Sequence, residues 1–480
     1  MAAVESPSRK RLRSEHVEDR KFVKESLPNL SDEDVDSKVG YESVSSANDA
    51  PSYLQEHKKA LSQLYTRSVE AKIWGVAAKG LYMTVPPKFY PEYTKPDGAS
   101  YVYRELDFWT SGFFPGSLYL LLERRRKYSH IIGYACKYWT ENLHKNARLH
   151  TTHDLGFMIM PWAKLAVELN HDLRALETIK SAANTLFGRF SKKMGCMRSW
   201  DTCKTKNYHF DDMNKDFMVI IDNMMNLNLL FYAASKTSNR DMFSAAVQHA
   251  QTTARTHIRA DGSTIHVVVF DTQTGGIKHR ITNQGYAHTS CWARGQSWAI
   301  AGFAETYSWT HDKDFLDTAR RCADYFLARM PKSGIVPWDF DALEAEGPTQ
   351  PPDSSAALIA AYGMLLIHRA SKSLGQSSSY LAEALKIIEV VCTNQMNSPT
   401  KFVTSRQVVD TVEHGTMEEL ALQVDLEAGE TILNGATINN YEFAPRRWAN
   451  HGLVYADYFF LLTGNLLMEM GIGQLALNGN

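Results

Sequence analysis

From Pro51 onward, apolar residues recur at helical spacing in segments of about 15 to 22 residues, and the segments come in pairs. The first member of each pair is apolar almost all round, as in LGFMIMPWAKLAVEL (155–169), DNMMNLNLLFYAASKT (222–237) and SSAALIAAYGMLLIHRASKS (354–373). Pro161 lies within the first of these, where it is expected to kink the helix or mark its first turn. The second member, after a short polar break, is amphipathic; residues 240–258 and 312–330 are examples. Pairing in this way predicts six units whose first helices begin near Ser111, Asp154, Asp222, Ser290, Ser354 and His451. The last unit lacks a following partner, and an unpaired helix spanning about residues 54–80 is expected to complete the ring.

A helix that is apolar on every side must be buried on every side. The period is also irregular, with long inserts on one side only, which argues against an open solenoid of regular repeats. The expected architecture is therefore all-α: an (α/α)6 barrel, or six-hairpin toroid, with short β-hairpin inserts at one mouth. STIHVVVFD (263–271) alternates and is β-branched, and TGG (274–276) follows as a turn.

Residues 1–50 depart from this pattern. They are rich in Ser, Asp, Glu, Lys and Arg without period, and read as a disordered tail ahead of the barrel domain of 51–480. The basic cluster SRKRLR (8–13) is of the kind used for nuclear import, though such clusters are common in tails. The chain as a whole carries a formal charge of −1, so nucleic acid is not the expected partner. No apolar run reaches the roughly 20 residues of a membrane span, and no apolar leader stands at the start. Six cysteines without C-x-x-C spacing fit reduced thiols, and a cytoplasmic location is expected.

Asp222 is the residue that looks misplaced. It follows Val219, Ile220 and Ile221 and precedes a Met/Leu run. An N-cap explains a lone Asp at a helix start. It does not explain why Trp109, His153, Asp154, Trp292, Arg294 and Tyr455 stand at equivalent places in other units, beside Asp353, Ser354 and Ser355. If the inner helices run in one direction, these residues gather at one mouth. The insert stretches RSWD (198–201), NQGY (283–286) and PWDFD (337–341) add polar groups beside rings. Aromatic faces interleaved with hydrogen-bonding side chains make a carbohydrate site. No ligand spacing for a metal is apparent, and no cofactor is expected.

These stretches resemble the unsaturated glucuronyl hydrolases of glycoside hydrolase family 88. The matching segments are FWTSGFFPG (108–116), HDLGF (153–157), RSWD, IIDNMMNLNLL (220–230), DGSTIHVVVFD (261–271), NQGYAHTSCWARGQSWAIAGF (283–303), PWDFD, DSSAA (353–357) and HGLVYADYFF (451–460). The resemblance implies an (α/α)6 barrel that removes a 4,5-unsaturated uronic acid from the non-reducing end of an oligosaccharide of chondroitin, hyaluronan or a related polymer. It implies Asp222 as general acid/base and Asp154 as a second essential carboxylate. It places substrate contacts on Trp109, His153, His266, Gln284, Trp292 and Arg294, with Ser354 and Ser355 at an outer subsite. One departure is His288, which stands in GYAHTS where the family usually has an acid. An unsaturated rhamnogalacturonyl hydrolase and a catalytically idle sugar-binding homologue are the alternatives.

The chemistry so implied needs a carboxyl that holds its proton. Protonation of C4 in the enol ether leaves an oxocarbenium-like centre at C5 for water to attack. Apolar neighbours and a nearby second carboxylate both raise an acid's pKa, which suits Asp222 to the role. Arg294 is expected to pair with the substrate carboxylate, for which Arg is shaped.

Overall fold

The apolar-all-round segments are helices, and they close on one another. In the computed structural model, which describes residues 52–96, 98–342 and 350–477, the paired segments become α1 (Ser52–Ser62), α2 (Arg67–Leu81), α3 (Phe113–Arg124), α4 (Ser129–Thr140), α5 (Leu155–Asn170), α6 (Leu173–Phe187) and α7 (Asn223–Thr237). They continue as α8 (Arg240–Thr256), α9 (Ala293–Thr310), α10 (Lys313–Ala328), α11 (Ser354–Ser373), α12 (Tyr380–Asn394), α13 (Val454–Glu469) and α14 (Ile472–Leu477). Helix α3 packs on α5, α5 on α7, α7 on α9, α9 on α11, α11 on α13, and α13 back on α3. Among the described residues this is a closed inner ring of six, and the alternate helices lie outside it, each against its own inner partner. Every residue of α11 from Ser354 to Ala361 is buried, as a helix walled in on all sides must be.

The tight inner contacts depend on small residues. A Cβ at Gly363 of α11 would stand 2.8 Å from the backbone nitrogen and 2.9 Å from the Cα of Ala301 on α9, so glycine sets that spacing.

The turns from inner to outer helix share one device. His171, Ser238 and His311 end α5, α7 and α9 in the left-handed conformation, with φ of 53°, 54° and 55°. The next residue in each case, Asp172, Asn239 or Asp312, caps the outer helix by accepting a backbone N–H from Ala175, Met242 or Asp314. These are the short polar breaks seen in the sequence.

One expectation needs correction and another is narrowed. The N-terminal helix of 54–80 is two helices, broken where Thr66 is extended (ψ 150°) ahead of α2. Helix α1 packs on α12 and α14 while α2 packs on α4, so the pair closes the outer layer beside the short α14 that follows the last inner helix. Of the two places expected for Pro161, the structure rules out the first turn and puts it in the interior of α5, which continues through it.

The inserts carry β1 (Phe89–Thr94), β2 (Tyr101–Glu105), β3 (Phe190–Ser191), β4 (Cys196–Met197), β5 (Cys203–Lys204), β6 (His209–Phe210), β7 (Asp216–Ile220), β8 (Val267–Asp271) and β9 (Ile277–Ile281). The hairpin expected at 263–276 is β8–β9, and β7 joins it as a third antiparallel strand with Ile220 opposite Val267. Strand β7 gave no alternation in the sequence because both its faces are covered. Phe217 and Val219 pack with Val268 and Phe270, while Met218 and Ile220 pack with Val267 and Ile281.

A last hairpin, β10 (Lys401–Thr411) with β11 (Gly415–Asp425), was not anticipated. The helices belong to one unit, and Thr404–Leu422 belongs to a second, within which Arg406 pairs with Glu418 at 3.3 Å. The expected tail of residues 1–50, with its basic cluster, lies outside the described residues.

Gly363→Ala is expected to lower stability by about 1–3 kcal/mol in denaturant titrations, because backbone of α9 must move. An unchanged midpoint would show that the ring has slack there.

Candidate active site

Asp154 and Asp222 both occupy the N-cap position of an inner helix, yet neither side chain caps. Other groups do that work. The N–H of Phe157, in the first turn of α5, donates to Asn226 Oδ1 of α7 at 3.2 Å. Asn226 can approach because residue 156 is glycine; a Cβ there would be 2.5 Å from that oxygen. In α7 the N–H groups of Met224 and Met225 donate to the carbonyls of Ile221 and Asp222 at 3.2 and 2.9 Å. Both carboxylates are therefore released from helix duty.

They meet at His153. Its Nε2 lies 3.2 Å from Asp222 Oδ1 and 3.4 Å from Asp154 Oδ1. The three ligand atoms are all within 4.8 Å of one another, a spacing that can share protons or hold a cation. The histidine side chain is 1% exposed, Asp154 12% and Asp222 18%, so Asp222 is the most open of the three. Burial raises the pKa of Asp154; His153 lowers it and Asp222 raises it, and the net direction is up. Burial disfavours the His153 cation, but the charge of Asp154 and the hydrogen bond and charge of Asp222 outweigh it, and its pKa is raised. His153 and Asp154 thus retain their protons more tightly than the isolated side chains would. Thr152 Oγ1 donates to Asp154 Oδ2 at 2.6 Å and fixes that carboxylate.

The sheet brings His266 to the trio. Pairing of β7 with β8 ends with the Ile221 N–H donating to the His266 carbonyl at 3.0 Å. The ring Nδ1 accepts the Asn283 N–H at 3.2 Å, so the proton of the neutral ring sits on Nε2. Burial drives the pKa of this histidine down to about 3. Its Nε2 is buried without a protein partner: a neutral donor held ready within the electrostatic reach of Asp222.

From His266 a contact chain runs round the first turns of the inner helices. The His266 ring lies 4.3 Å from that of Trp292, and the Arg294 guanidinium sits 4.6 Å over Trp292 and 5.5 Å over Tyr455. Trp109 packs 5.1 Å from Tyr455 and 5.5 Å from Phe157, which returns the chain to α5. Arg294 is 1% exposed and committed: Nη1 donates to Asp353 Oδ2 and the Thr437 carbonyl, both at 2.6 Å, and Nη2 donates to the Ile438 carbonyl at 2.6 Å. Asp353, unlike Asp154 and Asp222, does cap its helix, accepting the N–H groups of Ser355 and Ala356. Ser355 Oγ donates to the same carboxylate at 2.5 Å.

No protein-family model matches the chain. An unsaturated glucuronyl hydrolase of Formosa agariphila is 32% identical over 356 residues, which is 74% of this chain and 78% of the relative. The chain belongs to the unsaturated glucuronyl hydrolase family. An unsaturated chondroitin disaccharide hydrolase of Streptococcus pneumoniae is 29% identical over 355 residues, 74% of this chain and 80% of that one. The crystal structure of an unsaturated glucuronyl hydrolase specific for heparin matches with a TM-score of 0.66 at 27% identity, covering 87% of this chain and 98% of that one. Membership makes the chain a glycosidase with the six-hairpin toroid of that family.

In this hydrolase the residues expected from the sequence fall into three kinds. His153, Asp154, Asp222, His266, Trp109 and Trp292 line the contact chain just described. Arg294, the link in that chain between Trp292 and Tyr455, is tied with Ser355 to Asp353, and Gln284 Nε2 donates to the Ile438 carbonyl that Arg294 also uses, at 3.0 Å. Ser354 Oγ is buried without a partner. The acids of RSWD and PWDFD are supports: Asp201 pairs with Arg189, and Asp339 accepts the Tyr286 N–H and the Ser290 hydroxyl. His288 Nδ1 accepts the Thr282 N–H at 3.1 Å, and its ring borders a cavity of about 480 Å³ with Tyr286, Asn440, Tyr441 and Arg447. The carbonyls of Thr437 and Ile438 were missed, because backbone acceptors leave no mark in a sequence.

Asp222→Asn is expected to lower kcat by about 10² to 10⁴-fold while leaving the melting temperature unchanged, since the side chain caps nothing. Asp312→Ala should do the reverse, losing about 1 kcal/mol of stability with kcat intact. If both variants lost stability alone, Asp222 would be a cap after all.

Proposed function

We propose that this hydrolase adds water across the C4=C5 bond of a 4,5-unsaturated uronic acid at the non-reducing end of an oligosaccharide, one of the chondroitin or hyaluronan type. The observation that carries this reading is the position of His153 Nε2 between the two acids. Ordinary glycosidases set two carboxyl groups about 5–5.5 Å or 6.5–9.5 Å apart, on either side of the anomeric carbon. Here an imidazole nitrogen already stands within 3.4 Å of both carboxylates, whose oxygens come within 4.8 Å of each other. The pair is suited to moving one proton on and off Asp222, not to flanking a sugar carbon.

In this reading Asp222 gives a proton to C4, and water adds its oxygen to the cation at C5 while returning a proton to the same carboxylate. The resulting hemiketal opens by breaking C5–O5, and the hemiacetal left at C1 then collapses to release the neighbouring sugar. The His153 cation and Asp154 hold the proton supply. The His266 Nε2–H donates to the substrate, Trp292 and Trp109 present ring faces, and Arg294 acts as a fixed cation behind Trp292, its terminal nitrogens already engaged. Gln284 steadies the same wall. Ser354 and the cavity beside His288 belong to the side on which the leaving sugar extends. The relative named for unsaturated chondroitin disaccharides supports that substrate class.

The test is turnover of an unsaturated chondroitin disaccharide, followed by loss of its ultraviolet absorbance, with the saturated disaccharide as control. Turnover of the unsaturated sugar alone is expected; equal turnover of both would overturn the reading. The pH profile carries a second test. Asp154 acts as the carboxylate that steadies the His153 cation, and that cation lowers the pKa of Asp154. His153→Asn should therefore raise it and move the acid limb of kcat toward higher pH. An acid limb that stays in place would show that the imidazole does not share the protons.

A further inference from the structure

On the outer wall of the barrel, α2 is followed by the segment YMTVPPKF (82–89), which leads into β1. Tyr82, Met83, Val85 and Phe89 in this segment are 84%, 60%, 56% and 55% exposed, and Tyr134 on α4 is 39% exposed. Apolar side chains gathered in one exposed place mark a contact surface. The backbone beneath them is pinned. Tyr138 Oη donates to the carbonyls of Met83 and Val85 at 2.9 and 2.6 Å, and Asn142 Nδ2 donates to those of Pro86 and Pro87 at 3.1 and 2.9 Å. Tyr90 Oη reaches both the Pro87 and Trp139 carbonyls at 3.1 Å. The side chains are thus displayed by a fixed loop, with its ordering already accounted for in the folded protein.

Charge says what the surface faces. Across α2, the loop and α4 the one acid is Glu70, which pairs with Arg125. The neighbouring exposed acids Glu105, opposite Phe89, and Glu141, after α4, pair with Arg104 and Arg174. Among the described residues this leaves Lys88 and Lys137 as the unneutralised charge of this face. Lys88 and Lys137 are exposed beside the apolar group, with Arg126 and His130 on the same two segments. Lys145 bonds to the Asn142 that holds the prolines. A second copy of this face would set lysine against lysine under two-fold pairing. Met and Val offer nothing to a sugar hydroxyl. Apolar and aromatic side chains at the level of a lysine fringe match the boundary of an anionic bilayer.

We propose that the 82–89 loop and the adjoining face of α4 dock the hydrolase on an anionic lipid surface. No helix among the described residues is long and apolar enough to cross a membrane, and a peripheral contact needs none.

The test is co-sedimentation of the full chain with vesicles of phosphatidylcholine alone and of phosphatidylcholine mixed with phosphatidylserine. Binding is expected only to the mixed vesicles, and raising the salt should release it. Lys88→Ala should weaken partitioning about fivefold, and Met83→Ser with Phe89→Ser by about tenfold or more, with melting temperature and turnover of a soluble substrate unchanged. Absence of binding to the mixed vesicles would overturn the proposal. So would unchanged binding by both variants, or a patch variant that instead converts a dimer to a monomer in sedimentation velocity, which would make a second copy the occupant.

Discussion

A closed ring of inner helices that all run the same way puts every N-terminus at one mouth. Each of those ends brings N–H groups without partners in the helix, and those groups must be satisfied where they emerge. The protein meets this demand in two ways, and the site follows from the difference. At α11 the side chain of Asp353 caps its own helix and, with its other oxygen, holds the buried Arg294. At α5 and α7 the demand is met by Asn226 from the neighbouring helix and by backbone carbonyls, which leaves Asp154 and Asp222 unspent. Removing either member of the Arg294–Asp353 pair would strand a buried charge, at about 3–5 kcal/mol, so that pair locks the frame in which the free acids stand.

The free acids are not independent. One imidazole touches both, its own charge favoured by them and its presence restraining the upward shift that burial imposes on Asp154. Protons in such a group belong to the set. The apolar run after Asp222, which first suggested a desolvated acid, packs into the helical core with Met224 and Leu227 buried. The Asp222 carboxylate itself turns the other way, toward His153 and the opening. Burial in this site bears hardest on His153 and Asp154.

The ring of helix pairs was legible because burial on all sides writes an unbroken apolar helix, and because αL-plus-Asx turns write short polar breaks. The pairing of Asp154 with Asp222 was legible as a coincidence of position: two acids where N-caps belong, in company that capping does not need. Strand β7 was not legible, since two covered faces erase the alternation that marks a strand. Nor was the commitment of Arg294, because its partners at Thr437 and Ile438 are carbonyls in an insert far along the chain. A sequence shows which side chains are present, and the hydrogen bonds that occupy them appear only with the fold.

The central claim is that one carboxylic acid protonates carbon and that the anomeric carbon is never attacked. Reaction in deuterium oxide and in oxygen-18 water, with the early product followed by NMR and mass spectrometry, tests it most directly. The account predicts deuterium at C4, solvent oxygen entering at C5, and loss of the double bond with each turnover. Solvent oxygen at C1, no deuterium at C4 and a surviving double bond in the released uronic acid would contradict it.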